Sequence, residues 1–230
     1  MKKSLVLVFA TLALVACQKP AEKAAQVVAQ DSQSTLVIPA VDTWELAQNL
    51  AVYGYVNKSA SALIEAADIL VGVPVIICER EKKDPMDIKP TRSLSTVDRL
   101  LADAQTLSCD EALLGRIESV KGRAAMIAEM EGTRGGVGGA LVSDEIIYGN
   151  SDQVIFQDFQ AGEPAVVVVM AFGGPDLDTY IYDQDMNMVA SDCDNNCNCH
   201  CSWVPEYTGR YCIRVVNNGN ETKEFTLATN

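Results

Sequence analysis

The chain has a single histidine, His200, among its 230 residues, and this scarcity excludes a large group of catalytic and metal-binding sites. A His-Glu-x-x-His zinc helix, like any other centre with two histidine ligands, needs at least one histidine more than this chain has. The Gly-x-Ser-x-Gly turn that presents a nucleophilic serine does not occur. Cys199 and Cys201 flank His200, but adjacent residues of an extended chain point apart and cannot share a proton. The sequence therefore predicts no catalytic residues and no enzyme.

Positive charge is also scarce. The 18 Lys and Arg residues face 31 Asp and Glu residues, which gives a formal net charge of −13. Phosphate backbones and anionic lipid surfaces are repelled by such a chain, so nucleic acid is excluded as a partner. The negative charge does not exclude cations or basic molecules as partners.

No segment beyond residue 16 approaches the ~18 consecutive apolar residues of a transmembrane helix. At the start of the chain, Lys2 and Lys3 precede an apolar run from Leu5 to Ala16 that is too short to span a bilayer. A charged region followed by a short apolar region is typical of a signal peptide, which we predict at residues 1–16.

The run ends in Leu14-Val15-Ala16-Cys17, which resembles the lipobox of bacterial lipoproteins. The resemblance implies that Cys17 is acylated with palmitate or similar chains and becomes the first residue of the mature protein. Gln18 follows it, and by the sorting rule of that family a non-acidic residue there favours the outer membrane. We predict that the lipid is the membrane contact and that the protein faces the periplasm or the cell surface. Residues 17–36 are predicted to form a polar, flexible tether.

Residues 37–131 carry apolar side chains at helical spacing and predict a small α-helical domain of three segments. Asp42 and Glu45 have the spacing of a capping box at its start, and Ser95 or Thr96 caps the second segment. Residues 132–145 begin with the glycine-rich stretch 132–139. That stretch lacks the Lys-Ser/Thr ending of a phosphate-binding loop, so we interpret the segment as a linker.

Residues 146–230 change to the period of strands, separated by turn residues. A continuous apolar run at 165–172 indicates a strand buried on both faces or central in a sandwich, and Asn217-Asn218-Gly219-Asn220 predicts a hairpin turn. The predicted fold class is α+β, with a helical domain followed by an antiparallel β-sandwich. The predicted strands are 154–159, 165–172, 179–182, 188–190, 201–204, 211–216 and 222–228.

The sandwich segment resembles the bacterial pre-peptidase C-terminal (PPC) domain. The resemblance rests on residues 173–183, 189–192, 203–205 and 208–215 and covers roughly the last 85 residues. The resemblance implies a jelly-roll-like sandwich in which Trp203 is buried. In some members of the family, this sandwich holds calcium at an acidic turn or binds matrix polymers. No peptidase domain accompanies the sandwich here, so the resemblance concerns the fold more than any activity.

Seven cysteines remain after Cys17, and outside the bacterial inner membrane disulfides are the default. Cys78 and Cys109 stand alone in the helical half and are predicted to pair. The sandwich segment contains the other five cysteines. Because five is an odd number, the count favours two disulfide bridges and one spare thiol. These five are Cys193, Cys197, Cys199, Cys201 and Cys212.

By default we expect this protein to hold no cofactor. Metal binding is the alternative use of the cysteines. Cys197, Cys199 and Cys201 alternate, so an extended segment points all three to one side, where thiolates suit Zn²⁺ or Cu⁺. His200 would face the opposite side. Asp176, Asp178 and Asp192 lie on turns, where their oxygens could hold Ca²⁺.

The sequence therefore predicts a non-enzymatic lipoprotein of the outer membrane that acts as a binding module for an envelope protein or polymer. Two alternatives stay open. One is a metal-binding envelope protein that uses the cysteine-rich loop or the acidic turns, and the other is an accessory subunit of a secreted enzyme.

Overall fold

The computed structural model of the protein describes residues 39–91, 95–131, 139–171, 177–194 and 198–230. Within these ranges lie four helices and ten strands. The helices are α1 Ala40–Val56, α2 Ala60–Val71, α3 Val97–Leu107 and α4 Glu111–Glu131. The strands are β1 Val75–Ile77, β2 Glu81–Lys82, β3 Ala140–Ile147, β4 Ser151–Phe159, β5 Ala165–Ala171, β6 Leu177–Tyr182, β7 Met188–Asp192, β8 Asn198–Trp203, β9 Gly209–Asn217 and β10 Lys223–Thr229.

Four helices form where three segments were predicted, because the first segment breaks at residues 57–59. Lys58 adopts a positive φ of 50° there, and the side chain of Ser59 accepts a hydrogen bond from the amide of Ala62 to start α2. Gly54 lies where α1 and α2 cross, and a Cβ at this position would meet Leu63 at 2.5 Å. This glycine therefore allows the two helices to approach closely.

The predicted capping box at the start of α1 is wrong. Helix α1 begins earlier, at Ala40, after Pro39, and no side chain caps it. Asp42 and Glu45 therefore lie within the first turns of the helix, where they are available for contacts with the sheet. By contrast, Thr96 caps α3 as predicted, accepting a hydrogen bond from the amide of Arg99 at 3.3 Å.

The ten strands form two sheets of five. The central sheet has the order β1-β3-β10-β5-β8, and the outer sheet has the order β2-β4-β9-β6-β7. Neighbouring strands are antiparallel except for β1 and β3, which are parallel. The helices cover one face of the central sheet and the outer sheet covers the other, so the described residues form three layers. The predicted α+β class with a β-sandwich is confirmed.

All seven predicted strands are present, and strands β1, β2 and β3 were not predicted. Strand β5 is buried along its whole length, as its apolar run indicated. Val166, Val168 and Met170 face the helices, whereas Val167 and Val169 face the outer sheet. Strand β5 therefore contributes to both apolar cores of the protein.

The structure does not divide the chain at the predicted domain boundaries. Strand β3 begins at Ala140, inside the segment predicted as a linker, while β1 and β2 come from the segment predicted as helical. Trp44 of α1 shares one core with Ala140, Val142 and Ala228 of the central sheet. The helices thus bury their apolar faces on the sandwich instead of forming a separate core. The predicted glycine-rich stretch 132–139 lies outside the described residues except for Gly139.

The predicted hairpin at residues 217–220 is wrong, because β9 and β10 belong to different sheets. The buried side chain of Asn217 donates to the carbonyls of Tyr148 and Glu221 and accepts a hydrogen bond from the amide of Gly219. These bonds fold the connection into an arch between the sheets. A Cβ at Gly149 would meet the backbone of Asn220 at 2.2 Å, so the arch packs directly against the β3–β4 turn.

None of the described helices combines the length and the hydropathy that crossing a membrane requires.

Candidate functional site

A pocket of about 370 Å³ opens where the β6–β7 hairpin meets the connection between β8 and β9. It combines aromatic rings, two carboxylates and short aliphatic side chains. Its lining residues are Asp183, Asn187, Val189, Trp203, Val204, Pro205, Glu206, Tyr207 and Tyr211.

Four aromatic rings form the wall of this pocket and the core behind it. Tyr207 stacks on Tyr211 with 5.1 Å between ring centroids, and Trp203 lies 5.7 Å from Tyr211. Phe159 packs edge-on against Trp203 at 4.9 Å from the core side. Such contacts between aromatic rings hold each ring in one orientation. Trp203, which is predicted to be buried, is buried only in part, and its ring lines the pocket. Its Nε1 atom is buried and has no hydrogen-bond acceptor in the described part of the chain.

The acidic hairpin between β6 and β7 forms one rim. The carboxylate of Asp183 accepts hydrogen bonds from the amides of Asp185 and Asn187 and from the side chain of Asn187, all within 2.9 Å. The side-chain hydrogen bond from Asn187 lowers the pKa of Asp183, so the carboxylate is negatively charged near neutral pH. Asp183 therefore both closes the turn and places a charge at the pocket.

The opposite rim is the connection that follows Trp203. Its backbone is anchored to the β4–β5 turn, since the carbonyl of Pro205 accepts a hydrogen bond from Gly162 at 3.0 Å and Thr208 accepts one from Ala161 at 2.9 Å. The hydroxyl of Tyr207 accepts a hydrogen bond from the amide of Gln184, which ties the two rims together. The pocket is thus preformed by contacts of its own walls.

The chemistry of this pocket suits binding. Burial is the main cause that raises the pKa of Tyr211, so its phenol stays neutral near pH 7 and supports the ring of Tyr207 from the buried side of the pocket. Asp183 and exposed Glu206 add negative charge beside these rings. Aromatic faces next to carboxylates are suited to a ligand group that is partly apolar and positively charged.

The predicted cysteine sites do not form a cluster in the described residues. Cys199 and Cys201 point into the core of the sandwich and His200 points outward, which confirms the predicted alternation of β8. Burial raises the pKa of Cys201 to about 12, which disfavours the thiolate that a soft metal needs. Cys193 is exposed and Cys212 is half-buried, while Cys197 and the predicted lipidation site Cys17 lie outside the described residues.

The predicted bridge between Cys78 and Cys109 is absent, and no disulfide joins any two cysteines of the described residues. The pairing assumed that Cys78 ends a helical region. Instead, the residue follows strand β1, and its amide donates to the carbonyl of Val142 in β3 at 3.0 Å. Cys109 is exposed between α3 and α4.

These environments predict unequal thiol reactivity in the reduced protein. At pH 8, we expect maleimide to label exposed Cys109 and Cys193 within minutes. Cys201, with a pKa near 12, has a thiolate fraction of about one in ten thousand and is shielded by the core. Peptide mass spectrometry of samples labelled with and without urea checks this order. Labelling of Cys201 as fast as that of Cys109 in the folded protein would contradict the burial of β8.

The acidic residues predicted for calcium serve the fold in the described part of the chain. Asp178 accepts hydrogen bonds from Tyr180 at 3.3 Å and Asn218 at 2.8 Å, and Asp192 accepts one from the amide of His200 at 2.7 Å. Asp176 lies outside the described residues. Within the part of the chain that the structure describes, no three His, Cys, Asp or Glu side chains converge as metal ligands.

His200 instead joins the helical layer to the sandwich. Its Nδ1 atom lies 2.8 Å from a carboxylate oxygen of Glu45, and its Nε2 atom lies 3.9 Å from Asp42, both on α1. The two acids predicted to cap the helix therefore contact the outward-facing histidine of β8.

A second, smaller pocket of about 240 Å³ lies at the other edge of the sandwich, where the chain passes from β1 in the central sheet to β2 in the outer sheet. Arg80 occupies this crossing. Its guanidinium donates to Ser143, Gln157, the carbonyl of Leu141 and Thr229, over 2.5–3.2 Å. We call this set the arginine corner. Because its acceptors come from both sheets, Arg80 acts as a cross-link between them.

The sequence did not single out the aromatic pocket. The PPC resemblance implies that Trp203 is a core residue, and no sequence motif marks the other lining residues as a site. These are Asn187, Val189, Glu206, Tyr207 and Tyr211. A usable signal is the spacing of aromatic residues at 203, 207 and 211 around Pro205, since proline favours a turn and connections run over the protein surface.

Comparison with family models gives no match, and neither does comparison with curated proteins. Among solved structures, the chain is similar to the pre-peptidase C-terminal domain of a Bacillus anthracis collagenase, with 13% identity, 39% of this chain and 87% of that chain covered, and a TM-score of 0.35. It is also similar to PliG of Aeromonas hydrophila, a periplasmic inhibitor of g-type lysozyme (13% identity, 39% and 83% covered, TM-score 0.31). A third is the Yersinia pseudotuberculosis-derived mitogen (13% identity, 40% and 86% covered, TM-score 0.34). No enzyme family is identified.

Proposed function

We propose that this chain is a non-catalytic binding protein of a bacterial envelope, held to the outer membrane by lipid on Cys17, and that the aromatic pocket is its ligand site. The observation that carries this proposal is the preformed pocket of about 370 Å³ walled by Trp203, Tyr207 and Tyr211. Its lining residues offer rings, carboxylates and an amide, which are groups that bind a ligand without reacting with it.

The position of the pocket supports the same conclusion. It lies at the end of a rigid sandwich, on turns and connections, which is where scaffold proteins present their binding residues. Val204, on the rim, exposes 59% of its surface although it is an apolar residue. A rigid pocket with an apolar rim is suited to a partner that covers it.

Site-specific cross-linking in intact bacterial cells tests the proposal. We expect a photoreactive p-benzoylphenylalanine at Val204 to form a discrete covalent adduct with a protein or polymer of the envelope. The same group at Met126 of α4, an equally exposed position at 61%, serves as the matched control and should form no such adduct. In cells that are not irradiated, Cys17→Ser should move the protein itself from the membrane fraction to the soluble fraction.

Two results would contradict the proposal. Identical adducts from Val204 and Met126 would mean that the pocket has no ligand of its own. Protein without a cross-link that stays in the membrane fraction after Cys17→Ser would exclude the lipid as the anchor.

A further inference from the structure

We infer that the aromatic pocket and the hairpin beside it dock a basic protein segment, with a lysine or arginine side chain of the partner inserted into the pocket. This inference rests on the proposed function and adds the class of the partner. Three features of the described residues carry it: the distribution of charge, the aromatic wall and the apolar surface around the opening.

Charge is distributed very unevenly along the chain. From Gly135 to Gly209 the sequence has no Lys or Arg, and this stretch supplies every lining residue of the pocket except Tyr211. Asp183, Asp185 and Glu206 contribute negative charge at the pocket or next to it. Arg210, the first basic residue after the stretch, forms an ion pair with Glu81 at 2.6 Å and lies over the ring of Phe156. The potential at the opening is therefore negative and attracts a cationic partner.

The wall of the pocket favours the same kind of group. The rings of Trp203 and Tyr207 are half-buried and line the pocket, and each lies within 6 Å of the buried ring of Tyr211 behind them. A cation over an exposed ring face is attracted by the quadrupole of the ring. A lysine or arginine side chain has an apolar stem that packs on rings and a charged end that reaches a carboxylate. In this pocket, the rings can contact the apolar stem and the carboxylates can contact the charged end.

The surface around the opening indicates a protein partner. Met186, Met188, Val189 and Val204 are all exposed, and the first three belong to the hairpin that forms one rim. Methionine and aromatic residues are enriched where proteins contact each other. An anionic membrane would be repelled by the negative charge of the rim.

Met186 provides independent support, since it occupies a position that the fold would fill better with glycine. Its φ is 63°, in the left-handed region, and 66% of its surface is exposed. The left-handed conformation costs a non-glycine residue about 1–2 kcal/mol, and this side chain recovers little of that through burial. A strained, exposed methionine at the tip of the hairpin is consistent with a contact to a partner.

Nuclear magnetic resonance titration tests the inference with a defined probe, the peptide acetyl-Leu-Lys-Leu-Lys-Leu-amide. We expect it to shift the indole N–H signal of Trp203 and not that of buried Trp44. Glu206→Lys should weaken binding about tenfold, because it reverses a charge at the rim. The matched control is Glu129→Lys on α4, an equal change of charge at an exposed glutamate, and it should weaken binding less than twofold.

Met186→Gly separates binding from folding. We expect it to weaken binding about threefold while the melting temperature stays equal or rises, since glycine relieves the positive φ. Met126→Ala, which removes an exposed methionine from α4, should leave binding unchanged.

Each remaining outcome would overturn the inference in a recognisable way. Equal losses from Glu206→Lys and Glu129→Lys would show attraction by net charge alone. Equal binding of a peptide with both lysines acetylated would exclude a cationic group in the pocket. Shifts of Trp203 caused by chitosan oligomers and not by the peptide would identify a polysaccharide ligand. In that last case the cross-link from Val204 would persist, so the proposed function would survive the failure of this inference.

Discussion

Replacing Trp44 by alanine is expected to lower the free energy of unfolding by about 3–5 kcal/mol and to unfold the helices and the sandwich together. Trp44 is 1% exposed and is one of the largest side chains in the core that α1 shares with the central sheet. Because that core includes residues of β3, β5 and β10, the cavity would weaken both layers. Urea denaturation followed by far-ultraviolet circular dichroism and by the fluorescence of Trp203 measures the two layers separately.

Leu46, two residues along the same helix and 58% exposed, provides the control. Leu46→Ala should change the free energy of unfolding by less than about 0.5 kcal/mol. Transitions that separate, with Trp203 unaffected by Trp44→Ala, would support the division into a helical domain and a sandwich domain that the sequence predicted.

Replacing Arg80 by alanine is expected to cost about 3 kcal/mol, through the acceptors left without a donor. The arginine corner holds Ser143 and Leu141 of the central sheet and Gln157 of the outer sheet by hydrogen bonds of 2.5–2.9 Å. Burial lowers the pKa of Arg80, but an arginine remains protonated at any ordinary pH, so the loss should be independent of pH between 5 and 9. Urea denaturation at three pH values measures it.

Arg116 is the matched control for Arg80, because it also forms a short contact to its partner but lies on the surface. Its ion pair with Glu65 measures 2.6 Å between two side chains that are about half exposed. Arg116→Ala should cost at most about 1 kcal/mol. Similar losses for the two alanine variants would show that the hydrogen bonds at the arginine corner contribute no more than a surface ion pair.

Periodicity located most helices and strands because burial on one face leaves a regular pattern in the sequence. Strand β5 was predicted from its apolar run alone. Strand β3 was not predicted, because Asp144 and Glu145 interrupt its apolar pattern. Both side chains have partners in the fold: Asp144 accepts a hydrogen bond from Thr226 at 2.8 Å, and Glu145 forms an ion pair with Lys82. Both acidic side chains are paired by residues distant in the sequence, which a local pattern cannot show.

The aromatic pocket could not be predicted for a related reason. Trp203 belongs to the central sheet, whereas Asp183, Val189 and Tyr211 belong to strands or turns of the outer sheet. The sequence identified the hairpin at 183–185 and the strands on either side of Pro205 separately. Only the pairing of β6 with β9 and the packing of the two sheets bring them together.

The place of β10 in the central sheet has a consequence for how this protein folds. Strand β10, Lys223–Thr229, pairs with β3 on one side and with β5 on the other, and both partners come from much earlier in the chain. Until β10 is in place, β3 and β5 each lack a neighbour and the helices lack a finished surface to cover. Assembly is therefore expected to be slow, as for other folds whose contacts join distant parts of the chain. A folding intermediate without β10 in place would expose two unpaired, apolar strand edges at its centre, a form prone to aggregation.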